Sequence, residues 1–372
     1  MKKVIIIGAG ISGLFLANLL EKSGNYDYKI LEKKNNLNLY DGYGVQISVN
    51  GIKLLNKIGF KEISMHDINN PNYINFYDAK NCNKISHINI SKFNDKENYY
   101  TTLKRSQLID FLIKSIPKKK ILFNTSIKGI EGNDTFKINL DNSNFLHADY
   151  LAVCDGVFSK SKSFILNDDV KAKYYNSVAL RGTIKNYKNR DISVYLGPNF
   201  HFVIYPINQN YEANFISIIR EKNFLKLAED SKEELTRIFI NRISKNTSYD
   251  LKSNLLNVSL YPVYVSQKLS KPSNKNIFLA GDALFAFPPS FAQGTSQSIQ
   301  ASNEVFKNID EGFNDYYKKR ALITKSVKYR CQINHFAFHL SSPITVFVRN
   351  IALKFLTKND NFLKNYLGRI YR

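Results

Sequence analysis

Gly8, Gly10 and Gly13 directly follow the apolar run Val4-Ile-Ile-Ile7, and they are followed by the apolar-periodic residues Leu14, Leu16, Ala17, Leu19 and Leu20. That order describes a buried strand, a phosphate-binding turn and a helix. Gly8 permits a tight turn, and Gly10 lets backbone approach a pyrophosphate with no side chain between. Gly13 lets the helix pack closely on the strand. The free N–H groups and the positive dipole at the helix start suit phosphate oxygens. A second apolar strand, Tyr28-Lys-Ile-Leu31, ends at Glu32, nineteen residues after Gly13. A carboxylate there accepts hydrogen bonds from ribose hydroxyls. A glycine-rich turn beside a surface glutamate would share the motif alone. The strand, helix and acidic residue together point to a bound dinucleotide.

The elements that position these residues have ample chain to draw on. The 372 residues suffice for one large or two medium domains, and an apolar share of 44% excludes wholesale disorder. Cys82, Cys154 and Cys331 are odd in number and form no CxxC pair, so neither a disulfide framework nor a metal site is expected. A reducing cytoplasm fits. Met-Lys-Lys followed by apolar residues imitates a signal peptide, but the run continues into the glycine turn and lacks a small-residue cleavage site. No apolar run of membrane-spanning length follows.

The net charge of +22 raises nucleic acid as a partner. The lysines, however, are scattered among asparagines, with only short runs such as Lys118-Lys119-Lys120. No nucleic-acid module is recognisable, so no specific nucleic acid is expected. The charge reads as compositional bias that also favours anionic small molecules such as NAD(P)H and aromatic carboxylates.

Further along, Asp41-Gly-Tyr-Gly44-Val-Gln-Ile-Ser-Val-Asn50 leads to a short helix over Gly51 to Ile58, with Asn50 as its cap. Tyr73 to Ile90 alternates as strand, and Thr102 to Ile116 reads as a helix carrying Arg105. Three strand-like runs start at Ile121, Thr135 and Phe145. Val178 to Ile219 reads as strand after strand, turning at Lys185-Asn-Tyr-Lys188 and Asn208-Gln-Asn210. A helix spans Lys222 to Ser244. A buried strand, Asn276 to Ala280, precedes helices from Gly294 to about Ile309 and from Asn314 onward.

Two more motifs accompany the glycine turn. Tyr150-Leu-Ala-Val-Cys-Asp155-Gly156 is a strand ending in Asp-Gly, followed by Ser159-Lys-Ser-Lys162. Ile277-Phe-Leu-Ala-Gly281-Asp282-Ala-Leu-Phe-Ala-Phe-Pro288-Pro289-Ser-Phe-Ala-Gln293-Gly294 is a second strand-to-turn signature that opens a helix. The three motifs in this order resemble the class A flavoprotein monooxygenases, which include p-hydroxybenzoate and salicylate hydroxylases. Gly44 to Asn50, Arg105 with Leu108, and His201-Phe-Val-Ile-Tyr205-Pro206 extend the resemblance over nearly the whole chain. The last of these, with Ala292-Gln-Gly294, is most similar to the salicylate-hydroxylase branch.

The resemblance implies an α/β protein. A Rossmann-like FAD-binding domain over 1–70, 98–170 and 270–330 would carry an inserted β-sheet substrate domain over 71–97 and 171–269, with C-terminal helices over 331–372. It implies FAD at Gly8, Gly10, Ser12, Gly13, Glu32, Lys33, Gln46 and Ile127. Arg105 would lie near the pyrophosphate or ribityl chain, and Asp282 would accept from a ribityl hydroxyl. Gln293 and Gly294 would begin a helix aimed at the flavin's pyrimidine edge. Asp155 and its basic neighbours are linked to both FAD and NAD(P)H, although locally they also describe a tight turn. Pro288 and Pro289 would stiffen the loop against the ring.

The implied activity is hydroxylation of a phenol or aromatic carboxylate with FAD, NAD(P)H and O2, through a flavin hydroperoxide. No base is identifiable. Tyr205 and His201, four apart on a strand, share one face, and Arg181 and Pro288 complete a weak candidate set. Gly281-Asp-Ala-Leu-Phe285 carries no histidine where the family often has one. Gln300-Ala301 replaces a common acidic pair, which puts substrate geometry in doubt. Flavin halogenases and prenyl reductases of the same scaffold use a motif tryptophan, and this chain has none. Two alternatives stay open: a ubiquinone-pathway ring hydroxylase, and a non-catalytic flavin-binding redox sensor. For the first, the basic, apolar tail Pro343 to Arg372 would touch a membrane. A pair of packed terminal helices is the plainer reading of that tail.

Overall fold

The structure, a computed structural model, describes residues 1–37, 43–166, 171–227 and 231–371. Asp41 and Gly42 of the segment before Gly44 lie outside the described residues. Five parallel strands form the first layer: β1 (Lys2–Ile7), β2 (Tyr26–Leu31), β8 (Ile121–Leu122), β12 (Tyr150–Val153) and β18 (Ile277–Leu279). They pair in the order β18-β12-β1-β2-β8, with Ile5 between Leu151 and Lys29. Val4 to Ile7 are all buried, as the central strand of a covered parallel sheet requires, so they form an unbroken apolar run. The adjacent α1 (Ile11–Ser23) is buried from Ser12 to Leu20 and ends at Gly24 in the left-handed region, φ 66°.

β3 (Gly44–Ile47), β4 (Ile68–Asn69) and β7 (Thr101–Lys104) make a small antiparallel sheet. The helix expected from Thr102 therefore starts only at Arg105, as α3 (Arg105–Lys114). Thr101, Thr102 and Leu103 are buried in β7, and tertiary pairing overrides the periodic pattern there. Likewise α2 (Val49–Asn56) begins before the expected Gly51. Asn50 lies inside it, and Ser48 holds the cap position, donating from Oγ to Asn50 Oδ1 at 2.6 Å. The run from Ile121 to Cys154 contains five short strands rather than three. β9 (Ile127–Glu131), β10 (Phe136–Leu140) and β11 (Phe145–Ala148) form their own antiparallel sheet between β8 and β12.

The second layer is a seven-stranded sheet. Its members are β5 (Tyr73–Asp78), β6 (Lys84–Asn89), β13 (Lys173–Ile184), β14 (Ile192–Gly197), β15 (Phe200–Pro206), β16 (Ala213–Arg220) and β17 (Leu255–Val265). The order is β17-β13-β16-β15-β14-β5-β6, antiparallel except where β14 meets β5. Strand alternation divides β15 between two environments. Phe200, Phe202 and Ile204 join an aromatic core, while His201, Val203 and Tyr205 face the opposite side. That core takes Leu235, Phe239 and Ile243 from α6 (Lys232–Ser244). The single helix expected over Lys222 to Ser244 is instead α5 (Phe224–Leu227) and then α6. Ser231 caps α6, accepting from Glu234 N–H at 3.1 Å. Two single-turn helices, α4 (Lys162–Ile165) and α7 (Leu251–Asn254), follow β12 and precede β17.

The C-terminal helices tie the layers together. α8 (Gly294–Asn308) packs on α1 through Ser12 Oγ and Ser302 Oγ, 2.7 Å apart. α9 (Phe313–Phe338) runs from the parallel sheet, where Tyr317 Oη accepts from Leu279 N–H at 3.0 Å, to the seven-stranded sheet. α10 (Pro343–Leu356) follows after a short turn. A buried ion pair joins α8 to α9: Arg320 Nε lies 2.6 Å from Glu304 Oε2, and both side chains are nearly inaccessible. Lys319 meets the other oxygen of Glu304 at 3.0 Å.

Removing one partner of a buried pair typically costs roughly 3–5 kcal/mol because a charge is stranded. Lys319 remains beside Glu304, so Arg320→Met should cost less, about 2 kcal/mol in urea unfolding. A change within about 0.5 kcal/mol of zero would mean that the pair does not weld α8 to α9.

Candidate active site

The glycine turn is built by contact. Gly8 has φ +101°, and a Cβ there would lie 2.7 Å from the carbonyl oxygen of Cys154 at the end of β12. A Cβ on Gly13 would lie 2.1 Å from the Gly8 carbonyl oxygen. Gly10 differs: a Cβ would meet nothing within 4 Å, and its backbone (φ −79°, ψ −178°) suits any residue. Gly8 and Gly13 thus close the turn, while Gly10 borders open space. No side chain caps α1. Glu32 is buried at the tip of β2, accepting from Ala9 N–H at 2.9 Å and Lys34 N–H at 3.0 Å. One carboxylate therefore spans the turn and the next loop, with lone pairs left over for a sugar. Lys33 beside it is exposed, and Ile127 opens β9 against the core. The Ser12 hydroxyl is engaged with Ser302.

A second group of charges gathers where β12 and β18 end. Asp155 Oδ2 accepts from Ser161 Oγ at 2.9 Å, which closes the turn, while Oδ1 is buried with no partner among the described residues. Asp282 opens into the cavity with protein on its other sides. That setting pushes its carboxyl up to about 6, against the pull of Lys162 and Arg105. Lys162 is itself buried, which lowers its affinity for a proton, while Asp155 and Asp282 oppose that shift. Arg105 stands at the head of α3, its N–H donating to Tyr43 O at 2.8 Å.

Beyond Asp282 lies a cavity of about 710 Å³ enclosed by the seven-stranded sheet, the Pro288–Thr295 loop, α9 and α10. The first turn of α8 lines it, and no side chain caps that helix. Gly294 has nothing within 4 Å of a would-be Cβ. Gln293 is buried, and its Nε2 donates to Ser48 Oγ at 3.2 Å, so it presents backbone to the cavity. Gln46 lines the wall and accepts from Tyr100 Oη at 2.8 Å.

Tyr205, His201, Arg181 and Pro288 all line this cavity. Burial raises the Tyr205 hydroxyl far above its ordinary value, against Arg181 and Asn214, so it keeps its proton and can donate a hydrogen bond. His201 Nδ1 lies 2.8 Å from His339 Nε2, and burial pushes His201 down to about 3. Arg181 lies over the rings of Tyr43 and Tyr261, 5.6 and 6.0 Å from their centroids. Its Nε is buried without a hydrogen-bond partner among the described residues.

Two features were not expected from the sequence. Arg349 is 5% exposed and lines the cavity, with Nε and Nη2 on Asn350 Oδ1 and Nη1 unpartnered among the described residues. Burial lowers its hold on its proton, with Asp78 opposing. His335 and His339, one helical turn apart, join His201 in a buried cluster, with rings of the first two 4.1 Å apart. Burial pushes His335 down to about 4 and His339 down as well. Lys162 was expected among the basic neighbours of Asp155, but its burial was not. The i, i+4 histidine spacing was readable, but nothing in the sequence signals an arginine turned inward on an apolar helix.

The donor set fits a flavin dinucleotide. Two uncapped helix starts, the spaces beside Gly10 and Gly294, the unpaired Asp155 oxygen and the cavity-facing Asp282 carboxylate are the vacant polar partners such a group needs. Among the described residues no group of histidines, cysteines and carboxylates could hold a metal.

Comparison with known proteins agrees. The sequence profile of a family described as "FAD binding domain" matches residues 1–322. A fungal FAD-dependent monooxygenase, dpchE of Colletotrichum higginsianum, is 29% identical over 171 residues, covering 43% of this chain and 35% of that protein. This chain spans between about a third and a half of the lengths of the first fungal relatives it matches. Monooxygenase 1 of Arabidopsis thaliana is 22% identical over 355 residues, 86% of each protein. Among solved structures, Klebsiella pneumoniae HpxO complexed with FAD and uric acid superposes with a TM-score of 0.84 at 15% identity, over 99% of this chain and 96% of that one. At that identity the likeness is one of fold.

Gly10→Val should fold with unchanged thermal stability yet purify without flavin absorbance, because the added atoms enter the open space. Gly13→Val should fail to fold. Flavin retained by the Gly10 variant would overturn the assignment of that space. The histidines give a pH dependence. Each is neutral when folded, whereas an unfolded histidine takes a proton near pH 6.5. Their contribution is intact above about pH 6.5 and lost as pH falls toward 4. Scanning calorimetry of His335→Gln/His339→Gln should show a smaller fall in melting temperature over that interval than the parent chain shows.

Proposed function

The chain belongs to the FAD binding domain family, and from that premise we propose that it is a class A flavoprotein monooxygenase that hydroxylates an aromatic ring bearing an anionic group, using NAD(P)H and O2. The supporting observation is one cavity lined both by the uncapped start of α8 and by Arg181 and Arg349, each of which has a guanidinium nitrogen without a hydrogen-bond partner among the described residues. The helix start suits a flavin ring, and a guanidinium suits a carboxylate or phenolate.

FAD, when bound, supplies electron transfer from NAD(P)H and the activation of oxygen. The chain's own residues do the rest. The turn at Gly8, Gly10 and Gly13 and the Glu32 carboxylate hold the adenosine and phosphates. Asp282 accepts from the ribityl chain, and Arg105 and Lys162 balance its charge. The first N–H groups of α8 at Gly294 stabilise negative charge on the ring's edge. Arg349 orients the substrate's anion, and a charged, directional contact fixes which ring carbon faces the flavin. Tyr205 donates a hydrogen bond to the substrate, and neutral His201 stands beside it within the same wall. Apolar side chains of the sheet and of α9 keep water out.

In this reading 1–70, 98–170 and 270–330 form the flavin domain, 71–97 and 171–269 the substrate domain, and 331–372 a helical cover. Three unpaired cysteines, Cys82, Cys154 and Cys331, support a cytoplasmic setting.

The test is oxidation of NADH and NADPH by the holoenzyme with matched pairs of aromatic carboxylates and uncharged phenols. Substrate-stimulated oxidation with oxygen inserted into the ring is the expected result. Bound flavin that no aromatic compound accelerates would sink the reading. Arg349→Met should raise KM for the carboxylated member about tenfold to a hundredfold, the worth of a hydrogen bond to a charged group. The same change should leave kcat and the uncharged phenol nearly unchanged.

A further inference from the structure

α10 is turned inside out for a helix on a protein surface. Ile344, Phe347, Val348, Ile351 and Phe355 recur at three- and four-residue spacing and are between 39 and 78% exposed, whereas the one buried residue is Arg349. Tyr329, Ile333 and Phe336 extend apolar surface along the end of α9. The expectation of simply packed terminal helices therefore fails for the outward face of α10. Four of these exposed residues, Ile333, Phe336, Ile344 and Val348, also line the cavity. The cavity mouth thus opens through the apolar patch, and its wall and the outer surface are continuous.

The charge around the patch indicates what covers it. Residues 321–372 contain nine lysines and arginines and one acidic residue, Asp360. Lys354, Lys358 and Lys364, on α10 and just beyond it, are exposed. An apolar helix face margined by lysines suits the headgroup and acyl boundary of an anionic membrane. A second copy of this chain would bring a like-charged face against it, on a molecule of net charge +22. Among the described residues no helix is long and apolar enough to cross a bilayer, so contact is from one side.

We propose that the α9–α10 face docks on an anionic phospholipid bilayer with the cavity mouth against the lipid, and that the aromatic substrate is taken up from that phase. The docking stands independently, and the uptake rests on the hydroxylase reading above. The substrate is then an amphiphile, with an apolar body that partitions into lipid and an anionic group for Arg349.

The test sediments the flavin-loaded full chain with phosphatidylcholine vesicles with and without phosphatidylglycerol. Binding should require the anionic lipid and weaken at high salt. Phe347→Ser/Phe355→Ser, two residues that do not line the cavity, should bind at least about tenfold less while keeping flavin content and the turnover of a dissolved aromatic substrate. Its rate on the same substrate carried in vesicles should fall by a comparable factor. Because the chain has no tryptophan, Phe347→Trp supplies a lone reporter, whose emission should shift to the blue on vesicles and be quenched by brominated acyl chains. Wild-type protein that stays in the supernatant with both vesicles overturns docking, as does a double variant that binds equally well. A dimer that dissociates in the double variant, without vesicle binding, assigns the face to a second copy and also overturns it. Vesicle binding without any aromatic-stimulated NAD(P)H oxidation refutes the hydroxylase reading and leaves docking supported. Equal rates on vesicle-borne substrate in both proteins refute uptake from lipid.

Discussion

A helix that starts without a capping side chain presents roughly half a positive charge and several unpaired N–H groups at its first turn. α8 directs such a start into the central cavity, and most of the molecule serves to hold it there. Its flank is fixed to α1 by Ser12 and Ser302, and its first turn to α2 by Ser48 Oγ and Ser296 Oγ at 2.9 Å. Near its other end, Glu304 meets Arg320 out of water. The parallel sheet positions α1, α1 positions α8, and α8 positions α9. The glycine turn before α1 and the α9 wall of the cavity therefore share one chain of contacts.

Buried polar groups without partners are rare because each costs about 1–3 kcal/mol. Here several border the cavity or its charged rim: Asp155 Oδ1, Arg181 Nε and Arg349 Nη1. Such a set is stable only if other packing offsets it, and the aromatic core behind β15 together with the apolar run Val4 to Ile7 of β1 supplies that packing. The histidines show the complementary solution. His201 is paired with His339, His335 meets Ser290, and burial keeps all three neutral, although His339 Nδ1 has no partner among the described residues. That makes them part of the wall around the cavity, not a source of protons at neutral pH.

The nucleotide-binding half was legible because its constraints are local. A strand with both faces covered is apolar throughout, and Gly8 and Gly13 are demanded by contacts within a few residues or one neighbouring strand. The shared orientation of His201 and Tyr205 was legible for the same reason, since alternation along a strand needs no tertiary information. What failed depended on partners distant in sequence. Thr102 to Lys104 look helical until β3 pairs with them, and Ser48 takes the cap because Ser296 meets it from 248 residues away. Arg349 is the clearest case. Its burial depends on the sheet edge beneath α10, which pattern along the helix cannot reveal.

That buried arginine and the exposed phenylalanines are two consequences of one orientation of α10. Rotating the helix by half a turn would bury Phe347 and Phe355 and return Arg349 to water, which burial energetics alone would favour. The sequence resists that rotation because the cavity wall also needs Val348 and Leu353, which lie beside Arg349 on the helix. A sequence selected only for a stable, dissolved fold would place polar residues at 347, 351 and 355. Keeping them apolar while a cation faces inward makes sense if both faces have a use: one to receive a charged group from within the cavity, the other to meet an apolar surface outside. The mouth lies between these two faces, so an amphiphilic molecule could move from one to the other without crossing open water.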